Sequence, residues 1–401
     1  MKRTVADLQD LHGKTVLMRV DYNVPLDGTT ITDDSRVRET VPTIRLLLDA
    51  GAKLVLCAHL GRPQKKDPST WSKLSLKPAA DCLAGLLGQD VAFVANCIGP
   101  DAEAAKAALA PGQVLLLENT RFHAGEESKD PEQRRAFAAE LAKGCDLFVQ
   151  DAFGAVHRAH ASTVGVTEVL SPCVMGLLVE RELAVLTELR EHPARPLVVI
   201  LGGAKVSDKI GVVQSMLDLA DTLIIGGGMA YTFLKANGAE IGKSLLDAES
   251  LDAVVAVQAA AKAKGVTLLL PTDVVVAPDI VADAVTTVVP ADGIPADQEG
   301  LDIGPETVAR YVAAIQGAGM VFWNGPMGVF ELDCFAQGTN ALAQALAASG
   351  AKVIVGGGDS GAAVKKAGVA DRMYHNCTGG GASLEFLEGR ALPGIDALDD
   401  V

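Results

Sequence analysis

The chain has 401 residues, 49% of them hydrophobic, 21% charged and 4% aromatic, with a formal net charge of −15. That length exceeds one ordinary core and predicts two domains, the apolar fraction excludes a disordered chain, and the acidic balance excludes a general nucleic-acid or anionic-membrane surface. Seven scattered cysteines without C-x-x-C spacing predict reduced thiols in a cytoplasmic protein, and neither the N-terminus MKRTVADLQD nor any apolar run predicts secretion or a membrane span.

Short β-branched or Leu-rich runs recur along the chain, each followed by a polar or glycine turn and then a helical stretch. TVLMRV (15–20) is followed by Asp21, Tyr22 and Asn23, with Arg36 and Arg38 just beyond in DDSRVRETVPTI. AKLVLC (52–57) leads into His59, Gly61 and Arg62, and QVLLL (113–117) leads into Glu118, Asn119 and Arg121. After a helical stretch over Glu132–Lys143, DLFVQ (146–150) leads into Asp151 and on to His157, Arg158 and His160. In open α/β sheets ligands bind beyond the carboxyl ends of strands, so Arg36, Arg62, Arg121 and Arg158 converge on one sheet edge with His59 between them. Four guanidinium forks in that position imply a small polyanion.

Ser171–Pro172 marks a break, and VMGLLVERELAVLTELREH then reads as one long amphipathic helix ending before Pro193 and Pro196. The second half continues with PLVVIL (196–201), DTLII (221–225), VTLLL (266–270), MVFW (320–323) and AKVIV (351–355), with helical stretches over Asp247–Lys264 and Phe335–Ser349. Strand alternating with helix predicts the α/β class: two doubly wound, Rossmann-like parallel-sheet lobes joined by a hinge helix. The expected boundaries are a first lobe over 1–171, the hinge helix over 172–195, a second lobe over 196–378, and a segment over 379–401 packing back on the first lobe.

Strands of the second half end in glycine: LGGAKVSDK (201–209), IIGGGMAY (224–231) and IVGGGDSG (354–361), while CTGGGASLEF (377–386) opens the final helix. Glycine lets a backbone approach phosphate closely, and the helix start behind it offers free N–H groups. A single such turn is commonly a packing device; four of them point to a polyphosphate. Lys205 and Lys209 are expected at i, i+4 on the start of one helix, sharing a face. Gly356, Gly358 and Gly361 match G-x-G-x-x-G, but the following VADRMYHNCTGGG offers no clear strand with an acidic residue at its end, so the dinucleotide reading fails. Asp359 in that turn fits better as a Mg2+ partner beside phosphates. P-loop and protein-kinase signatures are absent from the sequence.

The stretches RVDYNVPLDG, DDSRVRETVPTI, HLGRP, LENTRFHAGEE, DAFGAVHRAHAST, LGGAKVSDKI, NGPMGVFE, VGGGDSGAAV and TGGGASLEFLEG together resemble the phosphoglycerate kinase family, in order and over nearly the whole chain. The resemblance implies a monomeric cytoplasmic enzyme of glycolysis that moves a phosphoryl group between 1,3-bisphosphoglycerate and MgADP, giving 3-phosphoglycerate and MgATP. It implies phosphoglycerate binding in the first lobe by Asp21, Asn23, Arg36, His59, Arg62, Arg121 and Arg158. Nucleotide binding in the second lobe would fall to Lys205, Lys209, Gly300, Asn324, Glu331, Gly357, Gly358, Asp359 and Ser360, with Glu331 at the ribose and Asp359 near Mg2+. Gly379, Gly380 and Gly381 would face the phosphate in transit once the lobes close, and Arg36 and Lys205 would neutralise it. No general base is required, because a carboxylate acceptor is already a nucleophile; His59 is read as a hydrogen-bond donor to substrate and His157 as structural. Ala58, Asn376 and Cys377 depart from the family's usual residues without removing a charge.

Three further readings stand beside this one. A two-domain dehydrogenase would need an acidic ribose residue after a second strand. A hinged binding protein would suit two lobes around a small anion but leaves Lys205, Lys209 and Asp359 without a purpose. An inactive relative that keeps every charged position fits the same residues.

Overall fold

Each apolar run named above is a strand of a parallel sheet in the computed structural model, which describes residues 2–401. The chain divides into two units, Met1–Ala184 with Ala391–Val401, and Val185–Arg390.

The first unit is built on β1 (Thr15–Val20), β2 (Lys53–Cys57), β3 (Val91–Val94), β4 (Val114–Leu117), β5 (Leu147–Asp151) and β6 (Cys173–Met175), in the order β3-β4-β2-β1-β5-β6. All pairings are parallel. β1, β4 and β5 are buried at every position, which is why their sequences are largely apolar rather than alternating, with Arg19, Gln150 and Asp151 the polar exceptions toward the carboxyl ends. The connecting helices are α1 (Ser35–Asp49), α2 (Lys77–Leu87), α3 (Pro100–Ala107) and α4 (Pro131–Ala142). Val16, Met18, Leu54 and Leu56 of the sheet share one core with Ile44 and Leu47 of α1 and Leu83 of α2. Each such side chain contributes roughly 1.5–3 kcal/mol by leaving water.

α5 (Leu177–Glu191) comes next, and the division between the units falls within it. The helix expected from Val174 starts three residues later, because Cys173–Met175 pairs with Phe148–Gln150 instead. Its free N–H groups are satisfied by two buried side chains. Asp151 Oδ1 accepts from Leu178 (2.9 Å) and Val179 (3.3 Å), and Thr43 Oγ1 accepts from Leu177 (3.0 Å).

The second unit carries β7 (Leu197–Leu201), β8 (Thr222–Ile225) and β9 (Thr267–Leu269), then an inserted antiparallel sheet of β10 (Asp273–Ala277), β11 (Thr287–Pro290) and β12 (Glu299–Ile303) in the order β11-β10-β12. β13 (Met320–Asn324), β14 (Lys352–Gly356) and β15 (His375–Asn376) complete the main sheet, ordered β9-β8-β7-β13-β14-β15 and parallel throughout. Its helices are α6 (Ile210–Met216), α7 (Met229–Ala236), α8 (Leu251–Lys264), α9 (Pro305–Ile315), α10 (Gln337–Ala348), α11 (Gly358–Lys366) and α12 (Gly381–Leu387). β8 and β9 lie beyond β7 on one side, β14 and β15 beyond β13 on the other, so the winding reverses between β7 and β13.

Three expectations are corrected here. α6 begins at Ile210 with Lys209 as its N-cap, so Lys205 lies in the preceding turn and the two lysines do not share a helix face. The stretch after α11 does contain a strand, the two-residue β15, but Cys377 and not an acidic residue comes after it. The glycine set at 379–381 opens α12, and one more helical turn, α13 (Pro393–Asp396), comes after it. Of the segment expected to return to the first lobe, residues 379–390 group with the second unit, and 391–401 are bonded to the first: Arg3 N–H donates to Asp399 O (2.9 Å), Asp399 N–H to Cys173 O (3.0 Å) and Gly394 N–H to Val156 O (2.8 Å).

Candidate active site

The first cluster starts from β1. Arg19, the penultimate residue of that strand, is fully buried. Its Nη2 donates to His59 Nδ1 (2.8 Å), its Nε to Ser162 Oγ (2.8 Å), and its Nη1 to the Val20 carbonyl. Directly after β1, the buried Asp21 carboxylate pairs with Arg36 Nη1 at 2.8 Å and accepts from Asn23 N–H (3.2 Å). Asn23 Oδ1 in turn accepts from Gly61 N–H (2.8 Å), and Arg121 Nη1 donates to Gly61 O (2.8 Å). Asp21, Asn23, Arg36, Arg121 and the turn after β2 therefore form one bonded network.

Arg121 is buried; it pairs with Glu127 at 3.0 Å, and its Nε is left without a protein partner. Burial lowers its pKa, with the Glu127 carboxylate opposing. Arg158 is exposed and its Nε donates to His157 Nε2 (3.0 Å). Arg62 is exposed at the start of the short helical turn Pro63–Lys65.

Burial first, and then Arg19, Arg121, His160 and Arg36, hold His59 well below the ordinary histidine range. His160, which lies beyond β5, is pushed down to about 3 by burial and by Arg121, Arg19 and Arg158. Both imidazoles are therefore neutral at pH 7. Mutual repulsion of the surrounding guanidinium groups is relieved when an anion enters. Arg19 is a residue that inspection of strand ends misses. Its signal was present nonetheless: a single arginine inside the otherwise apolar run TVLMRV.

The second cluster sits at the reversal point of the other sheet. Lys209 Nζ donates to the carbonyl of Gly202, after β7, and to that of Asn324 (3.1 Å), at the end of β13. Burial lowers its pKa to about 8, while Asp359 and Asp208 pull the other way. Asn324 Nδ2 donates to Gly356 O (2.7 Å), and its Oδ1 is buried without a protein partner. Gly357 is the N-cap of α11 at φ 89, where a side chain would be strained and its Cβ would lie 2.9 Å from Asn324 Nδ2. Gly358 and Asp359 are exposed on the first turn of α11, where main-chain N–H groups are free to meet an anion. Ser360 is buried, and its hydroxyl oxygen accepts from Gly325 N–H.

The other expected positions are more dispersed. Lys205 is exposed in the turn before α6, close enough for its charge to lower the Asp247 pKa together with the hydrogen bonds from Ser207. Gly300 lies on β12, where an added Cβ would overlap the ring and hydroxyl of Tyr231, so packing alone demands glycine there. Glu331 is exposed in the turn after β13. Gly380 is the N-cap of α12 at φ 51 and Gly381 its first residue, directly after the β15 loop and hence on the same carboxyl edge as Asn324 and Gly357. Among the described residues none of the seven cysteines is in a disulfide, and no helix is long and apolar enough to cross a membrane.

A family model described as phosphoglycerate kinase matches residues 5–390. A phosphoglycerate kinase of Synechococcus sp. (strain JA-3-3Ab) is 55% identical over 401 residues, covering 98% of this chain and 96% of the relative. One from Rippkaea orientalis (strain PCC 8801 / RF-1) is 54% identical over 405 residues and covers 100% of both. Among solved structures, phosphoglycerate kinase from Coxiella burnetii superposes with a TM-score of 0.85 at 42% identity, covering 99% of this chain and 98% of that one. The enzyme from Pyrococcus horikoshii OT3 gives 0.87 at 33% identity, with the same coverage.

Proposed function

This chain belongs to the phosphoglycerate kinase family, and from that premise we propose how its two clusters divide the reaction. The enzyme is a phosphotransferase with a carboxyl group as acceptor, exchanging a phosphoryl group between 1,3-bisphosphoglycerate and ADP to give 3-phosphoglycerate and ATP. The first unit takes the phosphoglycerate on Asp21, Asn23, Arg36, His59, Arg62, Arg121 and Arg158. The second takes the nucleotide on Lys205, Lys209, Gly300, Asn324, Glu331 and the Gly357–Ser360 turn. The arginine network bonded to Asp21 and to the Gly61 turn is the observation that carries this reading.

In the direction of ATP use, a carboxylate oxygen of 3-phosphoglycerate forms a bond to the γ-phosphorus while the bond from that phosphorus to the β,γ-bridging oxygen breaks. No proton changes hands, which agrees with imidazoles held neutral beside the network. Asp21 holds Arg36 at one end of its fork, leaving the remaining N–H groups for the acceptor or the transferring group. Lys209 and the first turn of α11 oppose phosphate charge, and Arg36, Lys205 and the Gly380–Gly381 helix start act on the phosphoryl in transit. Removing one such preorganised donor costs about 2.7–4 kcal/mol of transition-state stabilisation. Closure of the lobes is the step that brings the two substrates in line.

Mg2+ accompanies the nucleotide in this reading. Such an ion keeps most of its water and needs one or two carboxylates beside the phosphates, and the exposed Asp359 on the first turn of α11 fits that demand. When bound, the ion would offset charge on the β- and γ-oxygens. We further take the protein as monomeric and cytoplasmic, a location that seven cysteines outside any disulfide support.

The test supplies purified protein with 3-phosphoglycerate and MgATP and monitors NADH oxidation through glyceraldehyde-3-phosphate dehydrogenase. Turnover that needs both substrates and Mg2+ is expected. None from folded protein would overturn the reading and leave a binding protein in its place.

A further inference from the structure

One buried chain of contacts in the first unit has no place in the roles above. Glu126 Oε1 accepts from Ser162 Oγ (2.6 Å) and its Oε2 from Ser162 N–H (3.0 Å). Ser162 Oγ accepts from Arg19 Nε (2.8 Å), and Arg19 Nη2 reaches His59 Nδ1 (2.8 Å). Glu126, Ser162 and Arg19 are all fully buried. A buried carboxylate and a buried guanidinium are each costly alone, and here a single hydroxyl couples them.

We propose that Arg19, held by Ser162 and Glu126, is a positioning residue that fixes His59 in its neutral Nε2–H tautomer and so keeps a donor ready for the phosphoglycerate. A guanidinium has five donors and no acceptor, so the ring nitrogen facing Arg19 must accept. With Nδ1 accepting, the ring proton resides on Nε2. Protonating the ring twice would set N–H against N–H at 2.8 Å, so the same contact opposes the imidazolium. The other groups facing His59, namely Arg36, Arg121 and His160, oppose a second proton too, while Glu126 lies behind Ser162 and Glu127 is paired with Arg121. The opposite tautomer would present a lone pair to an anionic ligand. The proposal rests on the reading of His59 as a substrate-binding residue.

The variants are Arg19→Met with Glu126→Gln, which removes both buried charges together so that neither is stranded, Arg19→Lys, which keeps a donor, and His59→Gln. Ligand-free protein labelled with 15N-histidine is observed by NMR from pH 5 to 8, and KM is measured for each substrate. In the unaltered protein His59 is expected to show one protonated nitrogen, Nε2, and no titration down to pH 5. In the double variant we expect mixed tautomers, while burial, Arg121, His160 and Arg36 still oppose a second ring proton. KM for 3-phosphoglycerate should rise roughly tenfold, as for one lost hydrogen bond, with KM for MgATP unmoved. Arg19→Lys should restore most of both. An unchanged tautomer in the double variant overturns the proposal. So does a mixed tautomer with unchanged KM for 3-phosphoglycerate where His59→Gln raises it. If His59→Gln itself leaves that KM unchanged, the substrate reading of His59 fails and the proposal falls with it, whatever the NMR shows.

Discussion

The ammonium group of Lys209 lies 3.1 Å from the main-chain oxygen of Asn324, joining the loop after β7 to the loop after β13 where the winding of the sheet reverses. A cation is thereby placed at the point where doubly wound sheets bind ligands, beside the start of α11. Because burial brings its pKa to about 8, the charge is present at pH 7 and fades above pH 8. Nucleotide affinity should therefore weaken by about tenfold at pH 9 relative to pH 7. ADP titration calorimetry at the two pH values checks this, and Lys209→Met should be weak at both and lose the pH dependence.

Arg36 is held to Asp21 by one nitrogen, so its loss removes a fork from the acceptor side and leaves a buried carboxylate without its cation. Arg36→Ala should lower kcat/KM by at least about 100-fold, in line with the loss of one preorganised donor. Arg36→Lys keeps the charge but not the fork and should fall in between. The coupled assay measures both, and an undiminished Arg36→Ala would remove this arginine from the site.

Asp151 ends β5 and caps α5, and its pKa is pushed up to about 7 by burial. Asp151→Ala should lower stability by about 1–2 kcal/mol, the usual range for a lost N-cap. Asp151→Asn keeps one acceptor and resembles the protonated carboxyl, so its cost should be smaller. Urea midpoints of the two variants decide the order.

His160 binds its proton far more weakly when folded, at about 3, than in the unfolded chain, at about 6.5. As pH falls below 6.5 the unfolded chain takes up the proton first, so this residue's contribution to stability declines toward acid. Asp151, and Asp302 of β12, both pushed up to about 7, act in the opposite direction between about 4 and 7. The effect of His160 therefore appears only by difference. Relative to His160→Gln, the unaltered protein should lose about 2 kcal/mol between pH 7 and pH 5, read from urea unfolding at each pH.

The parallel strands were legible because burial on both faces makes Val199, Ile224 or Val355 part of a continuous apolar run. Asp21, His59, Lys209 and Asp359 were legible with them, since each lies within the loop or helix start that comes after such a run. The antiparallel insertion was not legible: β11 is mostly exposed, with Val288 half in solvent, so it carries no buried-strand pattern. Cys173–Met175 was absorbed into the helix after it because an apolar strand and an apolar first turn look alike without a polar residue between them. Lys205 and Lys209 have helical spacing, but the helix start is set by backbone geometry at Lys209, φ −132, which spacing does not report. Arg19 escaped because its value lies in what touches it, Ser162 and His59, both distant in sequence.

The main-chain bonds of Arg3, Cys173 and Val156 to the segment beyond residue 391 give the two units different histories during synthesis. Residues 185–390 form an uninterrupted stretch and can complete their contacts as soon as they leave the ribosome. The first unit begins earlier in the chain yet draws on residues 391–401, so its final backbone bonds can close only after residues 185–390 have been made. A nascent protein arrested near residue 390 would therefore lack the closing backbone bonds of the first unit, while every residue of the second had already been made.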